Sequence, residues 1–110
     1  MADAFKDRQK GFEGKWAHDE EMRFKVMARR NKLLGQWAAG EMGLTDDKAK
    51  EYAMAVVQAD FQEAGDEDVF RKVRGDFDSA KIAVNDRALR AKMEELLAVA
   101  GEQVMGEAGK

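Results

Sequence analysis

The sequence predicts an all-α protein, a four-helix bundle with a flexible N-terminal arm. Three observations predict it. Proline, which helix interiors reject at about 3 kcal/mol, is absent from all 110 residues. Four stretches carry apolar residues at steps of three and four, and none alternates with period two long enough to make a strand. Glycine or a capping Asp, Asn or Thr stands between successive stretches.

The first helix is expected over about residues 18–42, where Met22, Val26, Leu33 and Trp37 form a stripe flanked by Met27, Leu34 and Ala38. Gly43 is placed to close it in a left-handed turn. Gly35 and Gly40 either weaken its end or let another helix approach closely. The second helix is expected over about 46–63, capped by Thr45, with Asp46 and Asp47 in its first turn and a stripe of Ala49, Tyr52, Ala53, Val56, Val57 and Phe61. Gly65 ends it. Asp66 then caps a third helix over about 67–81, where Val69, Val73 and Phe77 align with Phe70 beside them. Gly75 inside this helix costs about 1 kcal/mol relative to Ala. Asn85 caps the fourth helix, over about 86–105, whose stripe is Leu89, Met93, Leu96, Leu97, Ala100 and Val104. The reading therefore divides the chain into an arm (1–15), a bundle (16–105) and a frayed tail (106–110).

Composition excludes several function classes. The charged fraction is 37% and the hydrophobic fraction 45%, which suits a small core under a heavily ionised surface. With no cysteine there is no disulfide, thiolate metal site or thiol nucleophile. No apolar run approaches the ~18 residues of a membrane span, and the N-terminus has no apolar signal core, so a cytoplasmic location is expected. A net charge of −3 argues against indiscriminate nucleic-acid binding. Charge is unevenly placed: the N-terminal third is mildly basic and the remainder acidic.

Catalytic equipment is sparse. His18 is the single histidine and reads as a surface residue near a helix start. Phosphate-binding glycine motifs are absent, and so are the Glu-x-x-His pairs of carboxylate di-metal bundles. Asp46, Asp47, Asp66, Glu67 and Asp68 are explained by helix dipoles more simply than by a magnesium site. Ser79 is the single serine and has no histidine near it in sequence. The run Arg23, Lys25, Arg29, Arg30 and Lys32 is either a nucleic-acid stripe or a solvated helix face. Asp19, Glu20 and Glu21, one turn earlier, favour the solvated face.

The arm is the odd feature. Gly11 and Gly14 make it a weak helix former, so it is expected to be disordered or frayed through about Gly14 when free. If helical, it places Phe5, Phe12 and Trp16 on one face, with Gln9 between the first two. These rings either fold back onto the bundle or bind a partner's groove as an ordered helix; marginal intrinsic order with large apolar anchors favours the partner.

At this arm the chain resembles a known family. The stretch FKDRQKGFEGKWAHDEEMRFKVMARRNKLLGQWAAGEMGL is similar to the ATPase inhibitor subunit zeta of alphaproteobacterial F-type ATP synthases, and the likeness continues through ADF, GDEDVFRKV and KMEELLAVAGEQVM. The resemblance implies a four-helix bundle carrying a mobile inhibitory arm. It implies that the arm wedges into the catalytic α/β interface of the synthase head near the γ rotor and blocks rotation in the hydrolysis direction. The family's inhibitory segment carries over to Ala4, Phe5, Lys6, Asp7, Arg8, Gln9, Lys10, Gly11, Phe12, Glu13, Lys15 and Trp16.

The implied partners are the α, β and γ subunits of that head, with the chain a monomer when free and peripheral to the membrane-bound synthase. No nucleic acid, membrane insertion, metal or resident cofactor is implied. Some members of the family bind nucleotide, with no residues assigned to that role here. Two positions depart from the family pattern. Gly14 stands where a better helix former is expected, at about 1 kcal/mol against helix formation, and Gln9 stands where Glu is common. The rival reading is a helical adaptor or small-nucleotide-binding module that uses a groove of the bundle. An enzyme is disfavoured for want of a base, nucleophile or metal set.

Overall fold

The structure, a computed structural model, describes residues 19–59 and 67–108. Four helices make up the described chain: α1 (Glu20–Glu41), α2 (Asp46–Ala59), α3 (Glu67–Ala80) and α4 (Asp86–Ala108). The all-α expectation holds, and no strand occurs among the described residues. Helices α1 and α3 each touch the other three, while α2 and α4 make no contact and so lie diagonally across the bundle. The most extensive packing is of α1 against α2 and α4.

Capping chemistry sets most of the helix ends. Asp19 lies outside α1 in extended backbone, and its carboxylate accepts from the Met22 N–H at 3.1 Å. At the other end Leu44 N–H reaches the Ala39 carbonyl (2.9 Å) and Gly43 N–H the Gly40 carbonyl (3.2 Å). These two bonds make a Schellman stop, and Gly43 supplies its left-handed residue at φ +75° as expected. The same pair of bonds ends α3, from Ile82 to Phe77 and from Lys81 to Asp78. There Lys81 takes the left-handed conformation (φ +59°) without glycine's freedom, at a cost of about 1 kcal/mol. Asn85 caps α4 as predicted, its side-chain oxygen accepting from Ala88 N–H at 2.8 Å.

Thr45 behaves differently from expectation. Its carbonyl, not its hydroxyl, accepts from Lys48 and Ala49, and Asp46 turns the chain at φ +51°. Asp tolerates that conformation because its short polar side chain can bond locally. Helix α4 runs to Ala108, past the predicted end near 105. Its added turn is tied to α1 by Arg29, which donates to both carboxylate oxygens of Glu107 (2.8 and 3.0 Å). The expected Phe61 contact, the Gly65 stop and the Asp66 cap lie outside the described residues.

The core has two parts. The larger joins Leu34, Ala38, Val56, Val69, Val73, Phe77, Leu89 and Met93. Phe77 is fully buried, worth about 2–3 kcal/mol by transfer, and Trp37 meets its ring edge-on at 5.6 Å. The smaller joins Val26, Ala100 and Val104. The stripes of α2, α3 and α4 face inward as predicted. On α1 the buried line is rotated from the predicted one: Val26, Arg30, Asn31, Leu34, Gly35, Ala38 and Ala39 are buried, whereas Leu33 and Trp37 are half-buried. Two polar residues and a glycine lie on the inward face, so a hydropathy stripe finds its edge and not its centre.

Candidate functional site

The twelve arm residues singled out between positions 4 and 16, with Phe5, Phe12 and Trp16 foremost, lie outside the described residues, as does His18. The structure therefore describes the bundle, beginning at Asp19.

That scaffold corrects the reading of the cationic run on α1. Lys25 does lie on a solvated face and pairs with Glu21 one turn back, at 3.3 Å. Arg23 and Lys32 are exposed. Arg30 is 1% exposed and donates from Nε to the Asn31 side-chain oxygen at 2.7 Å, while the Asn31 amide nitrogen is buried without a hydrogen-bond partner among the described residues. In helical register this polar pair stands between Val26 of the smaller core cluster and Leu34 of the larger. Arg29 crosses to α4 and bonds Gln103 at 2.9 Å as well as Glu107. Two of the five cations thus serve the bundle's own packing, and neither supports a solvated stripe.

The close approach anticipated at Gly35 is real. A Cβ at this position would lie 2.6 Å from the Ala53 Cα and 3.3 Å from its carbonyl oxygen. Helices α1 and α2 touch backbone to backbone here, which only glycine permits. Ala53 also lines a groove of about 740 Å³ that α1 and α2 share with the end of α4. Its apolar lining includes Ala28, Ala53 and Val57 together with Phe24 (58% exposed) and Met54 (57% exposed). Lys25, Arg29, Lys32 and Lys50 also line it, as do Val104 and Glu107 of α4. Lys32 and Lys50 form no ion pair among the described residues. Among the described lining residues four are cationic and one is a carboxylate, on a chain of net charge −3. The sequence held one signal of it: Phe24 and Met54 are large apolar residues that fall outside both predicted stripes.

The other polar clusters are engaged in holding the bundle. Glu67 takes a two-pronged bond from Arg90 (3.0 and 3.1 Å), and the same guanidinium lies 3.8 Å above the Phe70 ring. Asp68 pairs with Arg71. Arg74 bonds Asp78, Asp86 and the Val84 carbonyl, which pins the α3–α4 turn. The Tyr52 hydroxyl donates to Asp76 at 2.8 Å, and Lys72 neutralises that carboxylate at 3.0 Å. Burial first, then the Asp76 carboxylate, pushes the Tyr52 pKa well above its ordinary value, so the phenol stays protonated. Ser79 is exposed. Among the described residues no group of three or more His, Asp and Glu is arranged to hold a metal ion, and no helix is long and apolar enough to cross a membrane.

Comparison with known proteins adds the following. The family model described as ATPase inhibitor subunit zeta matches residues 1–103. A protein whose structure was determined in solution by NMR is 52% identical, with 78% of this chain and 98% of that chain covered and a TM-score of 0.70. No curated protein matches the chain significantly.

Proposed function

The chain belongs to the ATPase inhibitor subunit zeta family, and on that footing we propose that it inhibits ATP hydrolysis by F-type ATP synthase, its N-terminal arm wedging into the catalytic α/β interface near the γ rotor. The observation that carries this reading is the extent of the family match, which begins at residue 1 and takes in the whole arm along with the bundle. An inhibitor subunit is a binding protein and not a catalyst.

Physical chemistry supports a division of labour. All four described helices contribute to the buried core, which suits the bundle to be the scaffold of the arm. Residues 1–16 carry three aromatic residues, four cations and three carboxylates. Phe5 and Phe12 fill apolar pockets of the head, and Lys6, Arg8 and Lys10 pair with its acidic groups. Each buried ring contributes about 2 kcal/mol before ordering costs. Gly11 and Gly14 raise those costs, which leaves inhibition by this chain weaker than a glycine-free arm would give.

The deciding experiment is ATP hydrolysis by the cognate enzyme with the full chain, with a chain lacking residues 1–15, and with Phe5→Ala/Phe12→Ala. Inhibition is expected from the full chain only. Undiminished inhibition by the truncated chain removes the arm from the mechanism.

A further inference from the structure

We propose that Met54 is a reversible oxidation site: a peroxide converts its thioether to the sulfoxide ahead of every other described methionine, and the bundle stays folded when it does. The inference rests on how the bundle packs its methionines and is independent of the arm.

Placement separates the methionines. Met22, Met27, Met42, Met54, Met93 and Met105 lie among the described residues. Met54 is 57% exposed on α2 and lines the groove. Met93 is 4% exposed inside the larger core cluster, and Met42 packs against that cluster. Met22 and Met105 pack against the smaller one, and Met27 is half-buried on α1. Thioether oxidation follows access, because the sulfur must meet the peroxide. The fold, and not residue chemistry, therefore ranks chemically identical groups.

The step needs only the peroxide. A lone pair on the Met54 Sδ attacks one peroxide oxygen, so an S–O bond forms as the O–O bond breaks. The sulfur is oxidised by two electrons. The departing hydroxide takes the proton of the transferred oxygen and leaves as water. A methionine sulfoxide reductase reverses the change: a dithiol supplies two electrons and two protons, the oxygen leaves as water and a disulfide forms.

The surroundings decide what the new oxygen does. Lys50 stands one helical turn before Met54, so the two share a side of α2, and both line the groove. Lys50 forms no ion pair among the described residues. Its ammonium is a donor suited to a sulfoxide oxygen, whereas a thioether accepts only weakly. Oxidation thus turns an adaptable apolar part of the groove polar. The core methionine is untouched, so stability changes little.

The test exposes the folded full-length chain to dilute hydrogen peroxide, quenches samples with free methionine and follows each methionine by peptide mass. Met54 is expected to gain an oxygen atom about tenfold faster than any other described methionine. In the urea-unfolded chain the rates should converge. A chain oxidised at Met54 alone should keep the wild-type urea midpoint, and a methionine sulfoxide reductase with a dithiol should restore its original mass. Met54→Leu keeps an apolar side chain without the sulfur; it should abolish the fast step and leave the slower ones unchanged. Equal rates in the folded chain overturn the proposal, and so does a Met54 advantage that persists in urea. A lowered urea midpoint after oxidation at Met54, or a sulfoxide that the reductase leaves in place, also overturns it. Circular dichroism monitors folding, and if Met54→Leu unfolds the chain, the wild-type rates alone decide.

Discussion

Replacing Gly35 with alanine tests the packing on which the bundle and its groove both depend. Two terms of opposite sign compete. In an isolated helix the change is favourable by about 1 kcal/mol, because alanine has less conformational freedom to lose. In this bundle the new methyl would sit 2.6 Å from the Ala53 Cα, 3.2 Å from its Cβ and 3.3 Å from its carbonyl oxygen. Carbon atoms prefer about 3.5–4.0 Å, so α2 must retreat by roughly 1 Å. The obstacle is backbone, and no rotamer change can clear it. Overpacking of this kind costs about 1–3 kcal/mol, and a rigid main-chain neighbour places it at the upper end. The net expectation is a loss of about 1–2 kcal/mol, or a fall in Tm of roughly 5–10 °C for a domain of this size. Urea titration followed by circular dichroism, with a calorimetric scan, measures it. Combining Gly35→Ala with Ala53→Gly should restore little, because the closest atom is the Cα that glycine keeps. A Gly35→Ala protein as stable as the wild type would refute the backbone contact between α1 and α2.

Two other perturbations follow from the same structure. Gly75→Ala makes the same chemical change in α3, but nothing lies within 4 Å of the added methyl; it should gain about 0.5–1 kcal/mol in the same urea titration. Tyr52→Phe should flatten the alkaline limb of the stability profile: a phenol whose pKa is raised by folding stabilises fully below its unfolded value near 10, and that contribution is lost as pH climbs beyond it, so the stability gap between wild type and variant should narrow between about pH 10 and 11.

The scaffold and the groove were not equally legible in the residue order. Val69, Val73 and Phe77 recur at an undiluted spacing of four, and all three are fully buried. On α1 the same logic slipped sideways, because Arg30 and Asn31 lie on the buried face and a hydropathy stripe passes over them. The arm reading rests on aromatic spacing and family resemblance, both properties of a continuous stretch that lies outside the described residues. The groove draws its lining from α1, α2 and α4, and Arg29 meets Glu107 across 78 positions. No window of sequence contains both.

Helix identity, most helix boundaries and the caps at Asn85 and Gly43 follow from the residues alone, since each depends on neighbours within about five positions. The seat of Arg30 inside the bundle, the partner that Gly35 admits and the gathering of Lys32 and Lys50 about one groove were decided only when the helices packed. Burial of a polar side chain and close backbone approach are settled by what a distant segment brings to the same place, and local propensity carries no record of that.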